Sequence, residues 1–181
     1  MVAIAALEAL STMGIPFTPV ERGLARVEWP GRLEIVSETP LVLMDGAHNP
    51  HAAEALASTL MELCGDRPIH LLLGISADKA VEEMGQRLGP LAVSTTCTKS
   101  RHHPRALDPV ELARRLAPYC PDVHVMTDPV DAYTYLLNAV AADEVIVVTG
   151  SLFLVGELRA AIRRSHVRSR RAASLELATA S

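Results

Sequence analysis

Residues 41–56 read LVLMDGAHNPHAAEAL: an aliphatic run, a polar hexapeptide and an Ala-rich segment. The run lacks polar alternation and predicts a strand over 41–45 that is buried on both faces. Asn49-Pro50 predicts a helix start over 50–64. An Asn side chain can accept from a free amide of the first turn, and proline at the first helical position has no N–H to leave unsatisfied. A buried strand running through a tight turn into a helix is one β-α unit, and the rest of the chain repeats it. Further strands are predicted over 69–75, 91–96, 122–127 and 144–149, followed in turn by helices over 78–88, 108–118, 129–142 and 154–165. Asp108-Pro109 and Asp128-Pro129 mark two of those helix starts by the same chemistry. Apolar strands alternating with helices imply a three-layer, Rossmann-like α/β fold, a mostly parallel sheet with helices on both faces.

Composition narrows the class. The 181 residues are 49% hydrophobic and 21% charged, which suits one globular domain with a short appendage. Aromatics make up only 3%, so Leu, Val, Ile and Ala must build the core. The net charge of −4 argues against a general nucleic-acid binder. Positive charge is nearly all arginine, with Lys79 and Lys99 the only lysines. Cys64, Cys97 and Cys120 form no CxxC pair, a pattern expected of a reducing, cytoplasmic protein. The opening MVAIAALEAL lacks a basic leader region and carries Glu8, and the longest apolar run, 145–155, is about half a membrane span and broken by Gly150. No membrane partner is expected.

The sequence before Leu41 differs in character. Residues 2–13 look helical, IPFTPVERG looks like a connector, and LARVEWPGRLEIV looks like two extended segments interrupted by Pro30-Gly31. The expected division is a helical appendage with linker over 1–22, the α/β domain over 23–166 and a flexible basic tail over 167–181. RRSHVRSRR at 163–171 holds five arginines without an interleaved aromatic, which favours a solvated helix end over a nucleic-acid arm.

Open parallel sheets bind ligands beyond the carboxyl ends of their strands, where helix N-termini present free N–H groups. Asp45 to Asn49 falls at such an edge. A cap requires Asn49 alone and leaves Asp45 and His48 unexplained. Asp45 can accept hydrogen bonds from paired hydroxyls such as those of a ribose, and His48 can direct an imidazole across the same opening. At two other edges, Gly74-Ile-Ser-Ala-Asp78-Lys79 offers an adequate N-cap in Asp78 and a cation in Lys79, and Thr149-Gly150-Ser151 is equally a bendable turn or a hydroxyl aimed at substrate. Arg32 after Trp29-Pro30-Gly31 reads more readily as an ordinary exposed charge than as a ligand contact. His102 and His103, with Arg101 and Arg105, lack a neighbouring carboxylate or thiol, so no metal is expected there. The chain has no GxxxxGK[ST], GxGxxG or GxSxG motif. A nucleotide meeting this domain would find no phosphate-activating loop on it.

In order, WPGRLEIV, LMDGAHNPHAAEAL, LLLGISADK, a Thr-rich strand leading to HHPRAL, and VTGSLFLVGELR resemble the C-terminal domain of folylpolyglutamate synthase/dihydrofolate synthase, a member of the Mur ligase superfamily. The resemblance runs from about Gly23 to Arg159, and residues 3–23 look like the last helix of that family's central ATPase domain and its link. It implies an ATP-dependent amide ligase that phosphorylates a folate-like carboxylate with ATP and magnesium, the acyl phosphate then being attacked by the amino group of glutamate. By matching positions, Asp45 is expected on the ribose of ATP and Arg32 towards ribose or phosphate. His48 and Ser151 are expected in the interdomain cleft near glutamate and the transferred phosphoryl group. The family often shows DKD where this chain has Asp78-Lys79-Ala80, so no role for that second acid carries over. The P-loop domain, and with it the magnesium ligands, is expected as a partner in cis or in trans, the chain being inactive alone. The other expectation, drawn from Met1 standing before the first helix, is a stand-alone, non-catalytic binding or scaffold module that kept the fold.

Overall fold

The computed structural model describes residues 2–14, 27 and 29–164. The connector expected over 15–23, most of the extended segment before Pro30, and the tail beyond Arg164 lie outside the described residues. The chain forms two compact units, Met1–Pro30 and Gly31–Ser181. The first contains α1 (Val2–Thr12), whose end is set by Gly14 at φ +77°, its N–H donating to the Ser11 carbonyl at 3.0 Å.

The second unit begins with β1 (Glu34–Glu38) and β2 (Leu41–Met44), followed by α2 (Pro50–Cys64) and β3 (Ile69–Leu73). It continues through α3 (Val81–Leu88), a 3₁₀ turn at Gly89–Leu91, β4 (Ala92–Cys97), α4 (Pro109–Leu116), β5 (Val123–Val125), α5 (Pro129–Ala139) and β6 (Val145–Thr149). A last helix, α6, covers 152–164. The strand order is β1-β2-β6-β3-β4-β5. All neighbours are parallel except β1, which lies antiparallel on β2 with Glu34 opposite Met44. β6 therefore inserts between β2 and β3, and the carboxyl ends of β2, β3 and β6 meet along one edge.

Successive strand residues point to opposite faces, and the aliphatic runs fill both. Leu41, Leu43, Leu71, Leu73, Val145 and Val147 pack with α2, α3 and α4. Val42, Met44, Leu72, Ile146 and Val148 pack with Ala132 and Leu136 of α5 and with Leu154 and Leu158 of α6. These two apolar layers make the three-layer α/β sandwich that the alternating pattern predicts.

The caps follow the proposed chemistry. Asn49 Oδ1 accepts from Ala52 N at 2.9 Å, Asp108 Oδ1 from Val110 N at 3.0 Å, and Asp128 Oδ1 from Val130 N at 2.8 Å. The helix expected over 78–88 starts later. Asp78 is not its cap, because residues 77–80 turn to meet the 103–107 loop: Ala77 N donates to Arg105 O at 2.9 Å, and Asp78 Oδ2 takes Arg105 at 3.3 Å. Ala80 occupies the cap position without a side-chain hydrogen bond. The last helix instead starts before the expected 154, because Ser151 caps it.

Helices α3 and α4 are tied by a two-pronged ion pair, Arg115 Nε and Nη2 to the two oxygens of Glu82, both at 2.6 Å. Those hydrogen bonds bring the Glu82 carboxyl down to about 2. A depressed folded-state value means that the pair stabilises above the ordinary carboxylate range and that the contribution is lost as pH falls through it towards 2. Glu82→Gln is expected to lower the melting temperature at pH 7 and to flatten its decline below pH 4.5, read by circular dichroism melts across pH.

Candidate functional site

The carboxyl edge of β2 is built around one side chain. Asp45 N continues the sheet by donating to Val148 O at 3.0 Å. Its Oδ1 accepts from Ala47 N at 2.8 Å and its Oδ2 from Leu33 N at 2.9 Å. The second bond ties the 31–33 turn to the strand end, and Gly46 N reinforces it by donating to Gly31 O at 2.8 Å. A Cβ at Gly46 would push aside the half-exposed Leu152 side chain. Arg32 lies at the apex of that turn between two positive-φ residues, Gly31 at +71° and Leu33 at +45°. Its side chain is exposed and has no partner among the described residues.

His48 stands three residues on, with Nδ1 at 2.8 Å from Gly46 O. In the neutral ring Nδ1 then carries the proton, and Nε2 is left as an acceptor. At the end of β6, Gly150 takes φ +97° and donates its N–H to Ala47 O at 3.0 Å. Ser151 is 5% exposed, and its Oγ accepts from Phe153 N at 3.2 Å. That cap uses the hydroxyl as acceptor and leaves its own proton available to a ligand.

His48 and Ser151 line a common cleft of about 180 Å³ with Ser76, Lys79, His103 and Arg105. Arg32 and Asp45 do not line it. Their turn meets it through Gly46, whose N–H holds Gly31 while its carbonyl holds the His48 ring. The four candidate residues read from the sequence thus fall into two adjoining groups in the fold. Lys79 and Arg105 both approach Asp78 Oδ2, at 3.7 and 3.3 Å. One carboxylate shared by two cations leaves net positive charge beside the cleft, a setting for an anionic ligand.

Reading the residues alone missed the cleft's other wall. His103 is 8% exposed, hydrogen-bonds Ser76 Oγ through Nε2, and stacks on the Phe153 ring at a centroid distance of 4.3 Å and 2° between planes. Its buried Nδ1 has no partner among the described residues. The sequence presented His103 in a polar loop. The Ser76–Ala106 bridge, with Leu107 N donating to Ile75 O and Ala77 N to Arg105 O, both at 2.9 Å, carries that loop over the end of β3.

Helix α6 holds both groups in place. Phe153 and Glu157, one turn apart on one face, meet the 98–103 segment. Glu157 accepts from Ser100 Oγ at 2.8 Å, Arg101 N at 2.9 Å and Arg101 Nε at 2.5 Å. Burial pushes the Glu157 carboxyl up, but these hydrogen bonds outweigh it and hold the group below the usual carboxylate range. Val155 and Arg159, again one turn apart, meet the 31–34 segment. Among the described residues no group of three or more His, Cys, Asp or Glu could hold a metal ion, and no helix is long and apolar enough to cross a membrane.

This edge belongs to a known class. The family model for the Mur ligase glutamate ligase domain matches residues 31–152, and the chain belongs to that family. It is 35% identical over 146 residues to the folylpolyglutamate synthase of Lacticaseibacillus casei, covering 80% of this chain and 32% of that protein. To the dihydrofolate synthase/folylpolyglutamate synthase of Bacillus subtilis it is 32% identical over 139 residues, covering 76% and 31%. Among solved structures, Escherichia coli FolC in complex with DHPP and ADP superposes with a TM-score of 0.79 at 26% identity, over 89% of this chain and 38% of that one. Mycobacterium tuberculosis folylpolyglutamate synthase complexed with ADP and AMPPCP gives 0.70 at 32% identity, over 77% and 34%. The chain spans about a third of the length of these relatives and is homologous to their C-terminal domain.

The edge depends on close backbone approach at Gly150, where a Cβ would lie 2.8 Å from Gly74 O. Gly150→Ala is expected to cost about 1–3 kcal/mol, the strain of a side chain at positive φ plus the clash. Gly65→Ala, at φ +57° with nothing within 4 Å, should cost less. Urea unfolding of the two variants measures the difference.

Proposed function

We propose that this chain is the ATP- and glutamate-facing domain of an ATP-dependent amide ligase of the folylpolyglutamate synthase/dihydrofolate synthase kind, and that it cannot catalyse ligation by itself. The observation that carries this reading is that an exposed Arg32, without a partner among the described residues, and Asp45 adjoin a cationic cleft containing His48 and Ser151, in a chain of this family. The residues fit a nucleotide. Arg32 supplies a free cation for phosphate or ribose. Each Asp45 oxygen spends one acceptor site on a backbone N–H and keeps another for a ribose hydroxyl. The cleft fits glutamate and the phosphoryl group in transfer. His48 Nε2 is an acceptor, Ser151 Oγ a donor, and Lys79 with Arg105 offset carboxylate charge. The P-loop, the magnesium ligands and the pocket for the folate-like carboxylate fall to the partner domain, in cis or in trans. Closure of this domain over the acyl phosphate would exclude water and let the glutamate amine attack the acyl carbon, releasing phosphate.

Comparisons support the ligand choice by analogy, since one bifunctional folylpolyglutamate synthase/dihydrofolate synthase, 26% identical to this chain, was solved with Mn, AMPPNP and L-glutamate bound. The 181-residue chain alone is expected to bind nucleotide weakly and to show no ATP-dependent glutamate ligation; adding a P-loop domain of this family should bring activity. Robust ligation by the pure chain would overturn the reading. In the reconstituted ligase Asp45→Ala is expected to raise the KM for ATP about tenfold or more. Ser151→Ala should act instead on the KM for glutamate, so steady-state kinetics with each substrate varied separates the two groups.

A further inference from the structure

Glu34 is two residues from Arg32 and is the nearest carboxylate along the chain, yet it does not pair with it. Both of its oxygens face Arg159 Nε of α6, at 2.7 and 2.8 Å, and Oε2 also accepts from Gly31 N at 2.8 Å. Both partners are largely buried, with side-chain exposures of 21% for Arg159 and 23% for Glu34. On the other side of Arg32, Leu33 N is taken by Asp45 Oδ2 at 2.9 Å. Two carboxylates, from β1 and from the end of β2, thus clasp the N–H groups of the residues flanking Arg32.

The clasp has work to do. Gly31 and Leu33 both sit at positive φ, a conformation that a leucine adopts only when its surroundings hold it. Gly31 rests on Val155, where a Cβ would lie 3.0 Å from Cγ1, and Leu33 packs against the buried α2 side of the sheet. The only unconstrained part of the turn is the Arg32 side chain, which projects exposed and unpaired among the described residues. Arg159 therefore does two things at once. It fixes Glu34 where that carboxylate can hold Gly31, and it occupies a carboxylate that would otherwise neutralise Arg32.

We propose that Glu34, locked by Arg159, is a positioning residue that keeps the Arg32 guanidinium free and aimed at the nucleotide. The proposal rests on the reading of Arg32 as a nucleotide contact. Neither Glu34 nor Arg159 touches the ligand; both act through Arg32. Pre-forming the turn spares the bound state the cost of ordering it and preserves the full charge for phosphate.

The test is a double-mutant cycle on the 181-residue chain, with ADP titrated against backbone amide shifts and melting temperature recorded for every variant. Arg32→Ala is expected to weaken ADP about tenfold without lowering the melting temperature, because the side chain is exposed and makes no hydrogen bond or ion pair among the described residues. Glu34→Ala and Arg159→Gln are each expected to weaken ADP roughly three- to tenfold, and neither should weaken it further in the Arg32→Ala background. Glu34→Gln keeps an oxygen for Gly31 N and should retain most of the affinity, so a poorly folded Glu34→Ala does not end the experiment. Wild-type affinity in Glu34→Ala and Arg159→Gln, or losses of the same size with Arg32 already removed, would overturn the positioning role while leaving the Arg32 contact standing. An Arg32→Ala chain that binds ADP as well as wild type would instead overturn the contact itself, and the proposal with it.

Discussion

The carboxylate of Asp45 joins three segments that the chain keeps apart. One oxygen closes the turn after β2, the other reaches back across twelve residues to the 31–33 turn, and the backbone N–H of the same residue extends the pairing with β6. A strand buried on both faces has to leave the core somewhere, and its last peptide groups must find partners when it does. With one side chain Asp45 satisfies Ala47 N just past the strand end and Leu33 N of the 31–33 turn, at the point where β6 inserts between β2 and β3. The positions of Arg32, of Gly46 and, through the Gly46 carbonyl, of His48 all follow from that arrangement.

Helix α6 supplies the second constraint. Five of its residues, or those at its start, each hold a different part of the edge. Ser151 caps the helix inside the cleft, Phe153 stacks under His103, Val155 supports Gly31, Glu157 fixes the segment at Ser100 and Arg101, and Arg159 locks Glu34. Helical periodicity sorts them into two faces. Residues 153 and 157 address the cleft side, whereas 155 and 159 address the turn. One rigid element thereby couples the candidate nucleotide contact to the candidate amino-acid cleft.

Charge at the edge is arranged by pairing rather than by composition. Over the whole chain acids outnumber bases, yet the cleft is cationic, because Asp78 is shared by Lys79 and Arg105 and Glu34 is spent on Arg159. Asp45 faces backbone amides and Glu34 faces Arg159 and the Gly31 amide. Arg32 faces solvent without a partner among the described residues, and Lys79 and Arg105 have one carboxylate between them. Such an edge is electrostatically suited to an anionic ligand without any surplus of positive charge in the chain.

Much of the fold was legible because its signals are local. Aliphatic runs without alternation, Asn49-Pro50, Asp108-Pro109 and Asp128-Pro129 specify strands and helix starts through hydrogen bonds that close within a few residues. The same locality misled at Asp78, a good cap by residue type that a distant arginine draws elsewhere. Of the site, the sequence by itself determined that Asp45, His48 and Ser151 lie at strand ends, and the motifs in which they sit carried the family. Tertiary structure alone decided that His103 is buried against Phe153, that Ser76 faces it, and that Arg159 takes the carboxylate nearest Arg32. Those contacts close across 27 to 125 residues, so no spacing announces them; they exist only once the parallel sheet has brought its strand ends together under one helix.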